Sequence, residues 1–464
     1  MSRFLLMWRK GAVLVWLLAL SPALVRGQGT APASSPDQQS QQPVVPPPQR
    51  TGEQRQPEAP GAAVPNTPAV PKPQEPSQPQ QPQPAPPPAE SAPQTAPALP
   101  IPGAPTLSQP GVTPIQGTDD EIVLMAVGDV MLGTTFPDAS GGDLPPNDGA
   151  DLLQEVAPIL KNGDVIFGNL EGPLVDSGVS AKCRGKREGT CYAFRVPTRY
   201  GKYLKDAGFS VMGVANNHAM DFGQEGRSSS RQVLDSLGIA HTGEIGDIAH
   251  LTVKGRKIAV IAFATYPNAY NLLNLDEALQ VIRDARAESD IVIVSFHGGA
   301  EGATHQHVPP GDEMFLGEDR GDLRKFTHAA IDAGAQVVVG SGPHVVRGME
   351  IYQGNLIAYS LGNFATYGPF NLSGENGISL ILEAHLGLDG SFRRGKVYPV
   401  KQEKPGGPKL DPEMKIVPVL RDLSSADFGE NSIIVSSDGE LSPPVRNGLP
   451  EEKAKAKSAA NERQ

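Results

Sequence analysis

Between residues 28 and 118 this 464-residue chain carries 26 of its 46 prolines, with many Gln and Ala and no aromatic residue or cysteine. Such a stretch cannot bury enough apolar surface to offset the entropy of ordering it. It predicts a solvated, disordered Pro/Gln-rich linker and leaves folding to the residues beyond 118. Ahead of it, Arg3, Arg9 and Lys10 precede an apolar run from Gly11 to Val25, and the segment closes on Val25-Arg26-Gly27. That is the pattern of a signal peptide over 1–27, so the chain is expected to be exported to the periplasm or cell envelope. The apolar run is short for a membrane span; left uncleaved, it would anchor the chain and make the linker a stalk. About 320 residues, 119–440, remain for one large domain or two small ones, followed by a charged flexible tail at 441–464.

Charge and cysteine usage narrow the function classes. Residues 1–27 contain four of the 40 basic residues and none of the 51 acidic ones, so the rest of the chain stands at 36 against 51, a formal charge of −15. That balance argues against nucleic acid as a partner. No later apolar run approaches the ~20 residues of a span, which excludes a multi-pass membrane protein. Cys183 and Cys191 have seven residues between them, too many for a CxxC zinc or redox motif. In an exported chain they predict a disulfide closing a small basic loop around Lys182, Arg184, Lys186 and Arg187.

The remaining chain alternates two kinds of segment. Short apolar runs rich in β-branched residues stand at 122–127, 165–170, 211–216, 258–264, 291–297 and 337–340, as buried strands of an α/β sheet do. Helix-like stretches lie between them at 150–161, 198–207, 227–237, 275–287 and 321–333. From 345 the pattern changes to strands without intervening helices, at 345–352, 355–360, 378–385 and 395–401. The expectation is a layered α/β domain whose later β-rich part completes a second sheet.

Polar clusters gather where those strands end. Asp129 follows the first run, Asn169 and Glu171 close the second, and Asn216, Asn217, His218 and Asp221 follow the third. His297 and Glu301 end the fifth, and His344 follows the sixth. Ligands of open α/β sheets bind outside the carboxyl ends of strands, so these clusters are expected to share one crevice. Carboxylate, amide and imidazole donors together suit Mn, Fe or Zn better than a thiolate-seeking ion. Each has a plainer explanation as a helix cap, a tight turn or a hydrogen-bonded core histidine. His241, His250, His328 and His385 read as solvated or structural, with His305 and His307 as reserve candidates.

Five motifs occur in order: GDVMLG from Gly128, GNLEGPL from Gly168, NNHAMDFG from Asn216, HGGAE from His297, and the long run from Pro343 to Phe364. Together they resemble the CapA family, capsule or poly-γ-glutamate biosynthesis proteins within the calcineurin-like metallophosphatase superfamily. The resemblance implies a four-layer α/β/β/α sandwich of the metallophosphatase type with a metal centre at the strand ends. It implies metal binding by Asp129, Glu171, Asn217, His297 and His344, and a catalytic role for His218 at the reacting or leaving group. Asn169, Asp221 and Glu301 would support those residues from behind. Two imidazoles of the superfamily pattern are absent, since Met131 and Gly342 each stand where a histidine is usual, and Gly298 stands where the family usually has a tryptophan. A single divalent ion, or a weakly held second one, follows from that.

The resulting expectation is a metal-dependent hydrolase or transferase acting on an anionic, γ-polyglutamate-like envelope polymer. Membrane-bound capsule-synthesis proteins are its candidate partners. The other expectation, from a different class, is a non-catalytic assembly or export scaffold that keeps a degenerate metallophosphatase fold and uses the linker for reach.

Overall fold

The computed structural model describes residues 117–137, 142–187 and 191–445. The expected signal segment, nearly all of the linker and most of the tail lie outside the described residues.

Four parallel strands open the fold: β1 (Glu121–Met131), β2 (Val165–Leu170), β3 (Val211–Gly213) and β4 (Ala240–Thr242), paired in that order. A second sheet comes next, from β5 (Ala249–Val253), β6 (Arg256–Ala264), β7 (Ile291–His297), β8 (Val337–Ser341), β9 (Met349–Tyr352) and β10 (Asn355–Ala358). Its spatial order is β9-β10-β8-β7-β6-β5, with the four inner strands parallel and both edges antiparallel. The chain then returns to the first sheet. There β11 (Asn363–Thr366) pairs parallel with β1, β12 (Ile378–Gly387) pairs antiparallel with β1, and β13 (Phe392–Lys401) continues from β12. Shorter pairings bring the two sheets to ten and seven strands.

The period-2 alternation of side chains sorts the layers. On β1, Ile122, Leu124 and Ala126 join Ile258, Val260, Ile293 and Val339 in a core between the sheets. The alternate residues Val123, Met125 and Val127 share a second core with Leu160, Leu204 and Leu234. Those leucines belong to α1 (Ala157–Leu160), α2 (Gly201–Ala207) and α3 (Gly223–Ser236). The outer face of the second sheet, Ile261, Val292, Val294 and Val338, packs on Ile282 and Phe326. These come from α4 (Leu275–Glu288) and α5 (Leu323–Asp332). The result is the four-layer α/β/β/α sandwich of the sequence expectation. Each fully buried aliphatic side chain in these cores contributes about 1.5–3 kcal/mol relative to exposure.

The differences from the expectation have local causes. The helix expected at 150–161 is reduced to the four residues of α1, preceded by turns. Pro158 lacks an N–H and its ring clashes with a carbonyl four residues back, so a helix tolerates it only in its first turn. The strand expected at 211–216 stops at Gly213. Asn216 instead spends its side chain on Asn169 Oδ1 and the Leu170 carbonyl, at 3.1 and 2.9 Å. The late part is not free of helices either: α6 (Ile416–Phe428) carries Ile416, Val417 and Leu420 into the inter-sheet core. Pro418, in its first turn, hides that helix from a reading of propensity.

Candidate metal centre

β1 delivers Asp129 through a close backbone approach. A Cβ on Gly128 would lie 1.9 Å from the Gly362 carbonyl oxygen, so only glycine fits there, and the Asp129 N–H donates to that same oxygen at 3.0 Å. Asp129 stands level with Asn169 on β2 and Asn363 on β11. The pairing with both neighbours shifts register at this residue, an irregularity of the kind that re-aims a side chain. Asn169 Nδ2 donates to Asp129 Oδ1 at 2.8 Å, and Asn216 in turn holds Asn169.

From the second sheet, β7 ends on His297, whose Nε2 lies 3.5 Å from Glu171 Oε1. Asp129, Glu171 and His297 are fully buried, and each offers a donor atom within 4.8 Å of the others. His344, just beyond β8, holds a left-handed φ of 58°, a conformation few non-glycine residues adopt. Its Nδ1 is 3.0 Å from both Asp129 Oδ2 and Asn363 Oδ1, and its Nε2 is 3.6 Å from Glu171 Oε1.

Hydrogen bonding sets this group apart. Both oxygens of Glu171, both ring nitrogens of His297 and the Asn217 Oδ1 are buried without any hydrogen-bond partner. Leaving such groups unpaired costs about 1–3 kcal/mol each, and more for a charge. A divalent cation would satisfy them, and the carboxylate, imidazole and amide donors match its preferences. Electrostatics agree with this fit. Burial, reinforced by Asp129, pushes the Glu171 carboxyl well above the usual carboxylate range. Burial, with Arg320 nearby, keeps His297 well below its usual value, which favours the neutral ring with a lone pair on one nitrogen. For His344 burial opposes the charge, but Glu171 and Asp129 outweigh it and raise the imidazole to about 10.

His218 lies beside the cluster. Its Nδ1 is 2.7 Å from Asp221 Oδ2, and the Phe194 ring stacks on it at 4.1 Å between centroids. Burial lowers its pKa against the pull of Asp221. The Cys183–Cys191 disulfide is formed, with Cα atoms 5.6 Å apart, and it ties together the two ends of the loop that contact this histidine. On one side Lys182 Nζ reaches Asp221 Oδ1 at 3.3 Å and the Asn217 carbonyl at 3.2 Å. On the other, the Phe194 N–H donates to Asp221 Oδ2 at 2.7 Å. Asn217, His218, Glu301 and His344 open onto one cleft of about 570 Å³, rimmed by Lys182 and Arg320.

Every residue the sequence singled out for the centre is therefore at one place, with Glu301 at its edge, 4.0 Å from His344 Nε2. The reserve histidines are not. His305 Nδ1 sits on the Glu301 carbonyl at 2.8 Å, and His307 pairs with Asp427 at 2.8 Å. The two histidine departures also become physical. Met131 is buried in the helix-side core, and a Cβ on Gly342 would meet Gly298 backbone atoms at 2.8 and 2.9 Å. No imidazole fits at 342. Sequence reasoning missed Asn363, Phe194 and Arg320. Asn363 lies inside the fifth motif but has no charge to draw notice, and the other two come from loops without a strand-end signal.

The family described as "Bacterial capsule synthesis protein PGA_cap" matches residues 123–367. "PGA biosynthesis protein CapA" of Bacillus subtilis (strain 168) is 29% identical over 328 residues, spanning 66% of this chain and 79% of that protein. "Capsule biosynthesis protein CapA" of Bacillus anthracis is 27% identical over 275 residues, 54% of this chain and 62% of that one. Among solved structures, the 5′-nucleotidase precursor of Thermus thermophilus aligns with a TM-score of 0.34 at 12% identity, over 68% of this chain and 61% of that chain. The family match covers more than half of the chain, and the protein belongs to the PGA_cap family of bacterial capsule synthesis proteins.

Proposed function

We propose that this chain is an exported, metal-dependent hydrolase or transferase that acts on an anionic, γ-polyglutamate-like polymer of the cell envelope, in concert with membrane-bound capsule-synthesis proteins. The observation that carries the reading is the buried set of Asp129, Glu171 and His297 with unpartnered polar atoms, in reach of His344, which lines an open cleft. The Bacillus relatives, a PGA biosynthesis protein and a capsule biosynthesis protein, support the polymer class. Asp129, Glu171, Asn217 and His297 would hold the ion, with His344 alongside. Bound there, the ion would act as a Lewis acid toward the bond under attack.

The remaining chemistry falls to the chain. Asp221 holds His218 Nδ1, which fixes the ring and leaves Nε2 to take a proton from the attacking nucleophile and return it to the leaving group. Phe194 stacked against the ring excludes water from one face and keeps the imidazole in place. Asn169 and Asn216 lock the Asp129 carboxylate in orientation. Incubating the manganese-loaded full chain with γ-linked glutamate oligomers should yield shorter or transferred oligomers by mass spectrometry. His218→Ala should lose roughly 10²–10⁴-fold in rate while keeping its ion.

A second reading, a non-catalytic assembly scaffold, is favoured by the core position of Met131 and the closed space at Gly342. Failure of the loaded protein to cleave or transfer any oligomer, with polymer production still restored by His218→Ala in a deletion strain, would replace the enzyme with the scaffold.

A further inference from the structure

Two arginines lie buried near the centre, and they differ in how their donors are used. Arg347 is fully buried and forks both terminal nitrogens onto Glu313, each at 2.8 Å. Arg320 is only 2% exposed, yet its Nη1 alone has a hydrogen-bond partner, Glu301 Oε1 at 2.8 Å, with Glu318 Oε2 a looser 3.9 Å away. Its Nε and Nη2 have no partner. The backbone around it is pinned: its N–H donates to the Glu313 carbonyl at 2.7 Å, and its carbonyl accepts from Gly299 at 2.8 Å. Arg320 also lines the cleft that opens onto Glu301, His218 and His344.

Nε and Nη2 form one edge of the guanidinium plane, the edge that grips an oxyanion through two parallel hydrogen bonds. We propose that this edge of Arg320 is a subsite for an oxyanion of the substrate, a carboxylate borne by the polymer residue next to the reacting bond. The proposal rests on reading the cleft as the substrate site. In a chain as acidic as this one, a fixed cation is what lets a polyanion approach Glu301 and Glu318 on the same wall. Lys182 and Lys186, which line the cleft from the disulfide-closed loop, extend the same attraction. A free phosphate offers the same oxyanion chemistry, so the test must separate the two sources.

The test is calorimetric titration of the full chain with three probes: a γ-linked glutamate tetramer, the same tetramer with its α-carboxyls amidated, and inorganic phosphate. The carboxylate tetramer should bind the native protein and lose roughly tenfold or more in Arg320→Gln, as expected for hydrogen bonds to a charged group. The amidated tetramer should bind weakly and equally to both. Arg320→Lys retains the charge beside Glu301 without the planar edge; it should also weaken the tetramer, and it decides the matter if Arg320→Gln fails to fold. Equal tetramer affinity in native protein and a folded Arg320 variant would overturn the subsite and leave the polymer function standing. Arg320-dependent binding of phosphate with none of the tetramer would keep the oxyanion subsite and remove the polymer from it.

Discussion

β1 carries a buried glutamate–histidine cluster at each end, and the two are built differently. At its start, Glu121 meets His385 and Arg394, and His385 meets Glu383, which takes a further hydrogen bond from the Tyr398 hydroxyl. His385 and Glu383 are fully buried, and Glu121 nearly so. At its far end, Asp129 stands with Glu171 and His297, where both Glu171 oxygens and both His297 nitrogens lack partners. Two glutamates in one fold therefore shift in opposite directions. Burial works against the charge of Glu121, but Arg394 and His385 outweigh it and hold the carboxyl below its usual range. Burial and Asp129 push Glu171 well above it. Burying charge is thus not the mark of a site. Burying it unsatisfied is, because only a bound ion or substrate then repays the desolvation.

Removing a member of the satisfied cluster should have the largest effect on stability. Glu383→Ala takes away the acceptor that His385 and the Tyr398 hydroxyl share, and about 3–5 kcal/mol of unfolding free energy should be lost. Bound metal in the folded fraction should not change. Denaturant titration with metal analysis would show it, and a variant that loses its ion would erase the distinction between the two ends.

Opening the disulfide should act at the site end alone. Cys183→Ser with Cys191→Ser removes a short loop closure worth about 2–3 kcal/mol in the chain-entropy model. It should also loosen Lys182 and Phe194 from Asp221 and His218, so turnover should fall while ion content holds.

The sign should reverse at Glu171. In protein stripped of metal, Glu171→Gln replaces a buried, unpaired carboxyl, so stability should stay level or rise by about 1 kcal/mol. The ion should then fail to bind on reconstitution. Destabilisation as deep as that of Glu383→Ala would mean that the two clusters are the same kind of object.

The smallest effect belongs to a third pair, His241 with Asp247 at 2.8 Å on the edge strand β4. The hydrogen bond that its Nδ1–H donates to Asp247 raises this imidazole above its ordinary value of 6.5 against partial burial. A raised folded value means that its contribution is fully present below pH ~6.5 and is lost as the pH climbs through the higher folded value. Asp247→Asn should shrink that part of the pH–stability curve, with Asp235, 3.2 Å from His241 Nε2, keeping a remainder.

Much of this was legible in the residues because strands leave a strong imprint. The runs at 165–170 and 291–297 coincide with β2 and β7 to the residue, since both are buried on two faces and read as unbroken apolar segments. Parallel strands bring Asp129, Glu171 and His218 to one edge of the first sheet and His297 and His344 to one edge of the second, while the meeting of those two edges comes from the packing of the sheets and not from the strand pattern. Pro158 was read through, which over-extended α1, whereas Pro418 in a first turn looks like a break when read without the cap and hid α6. Arg320 was out of reach altogether. Its meaning depends on which of its nitrogens lack a partner, and no spacing along the chain encodes that.

The central claim is that the unsatisfied end of β1 holds a divalent ion. Metal analysis of the full-length chain after incubation with manganese, iron or zinc and desalting tests it directly, with Asp129→Ala and Glu383→Gln alongside. At least one ion per chain in the native protein and in Glu383→Gln, with none in Asp129→Ala, is the predicted result. A native chain that retains no ion, or an Asp129→Ala variant that retains as much as the native, would contradict it.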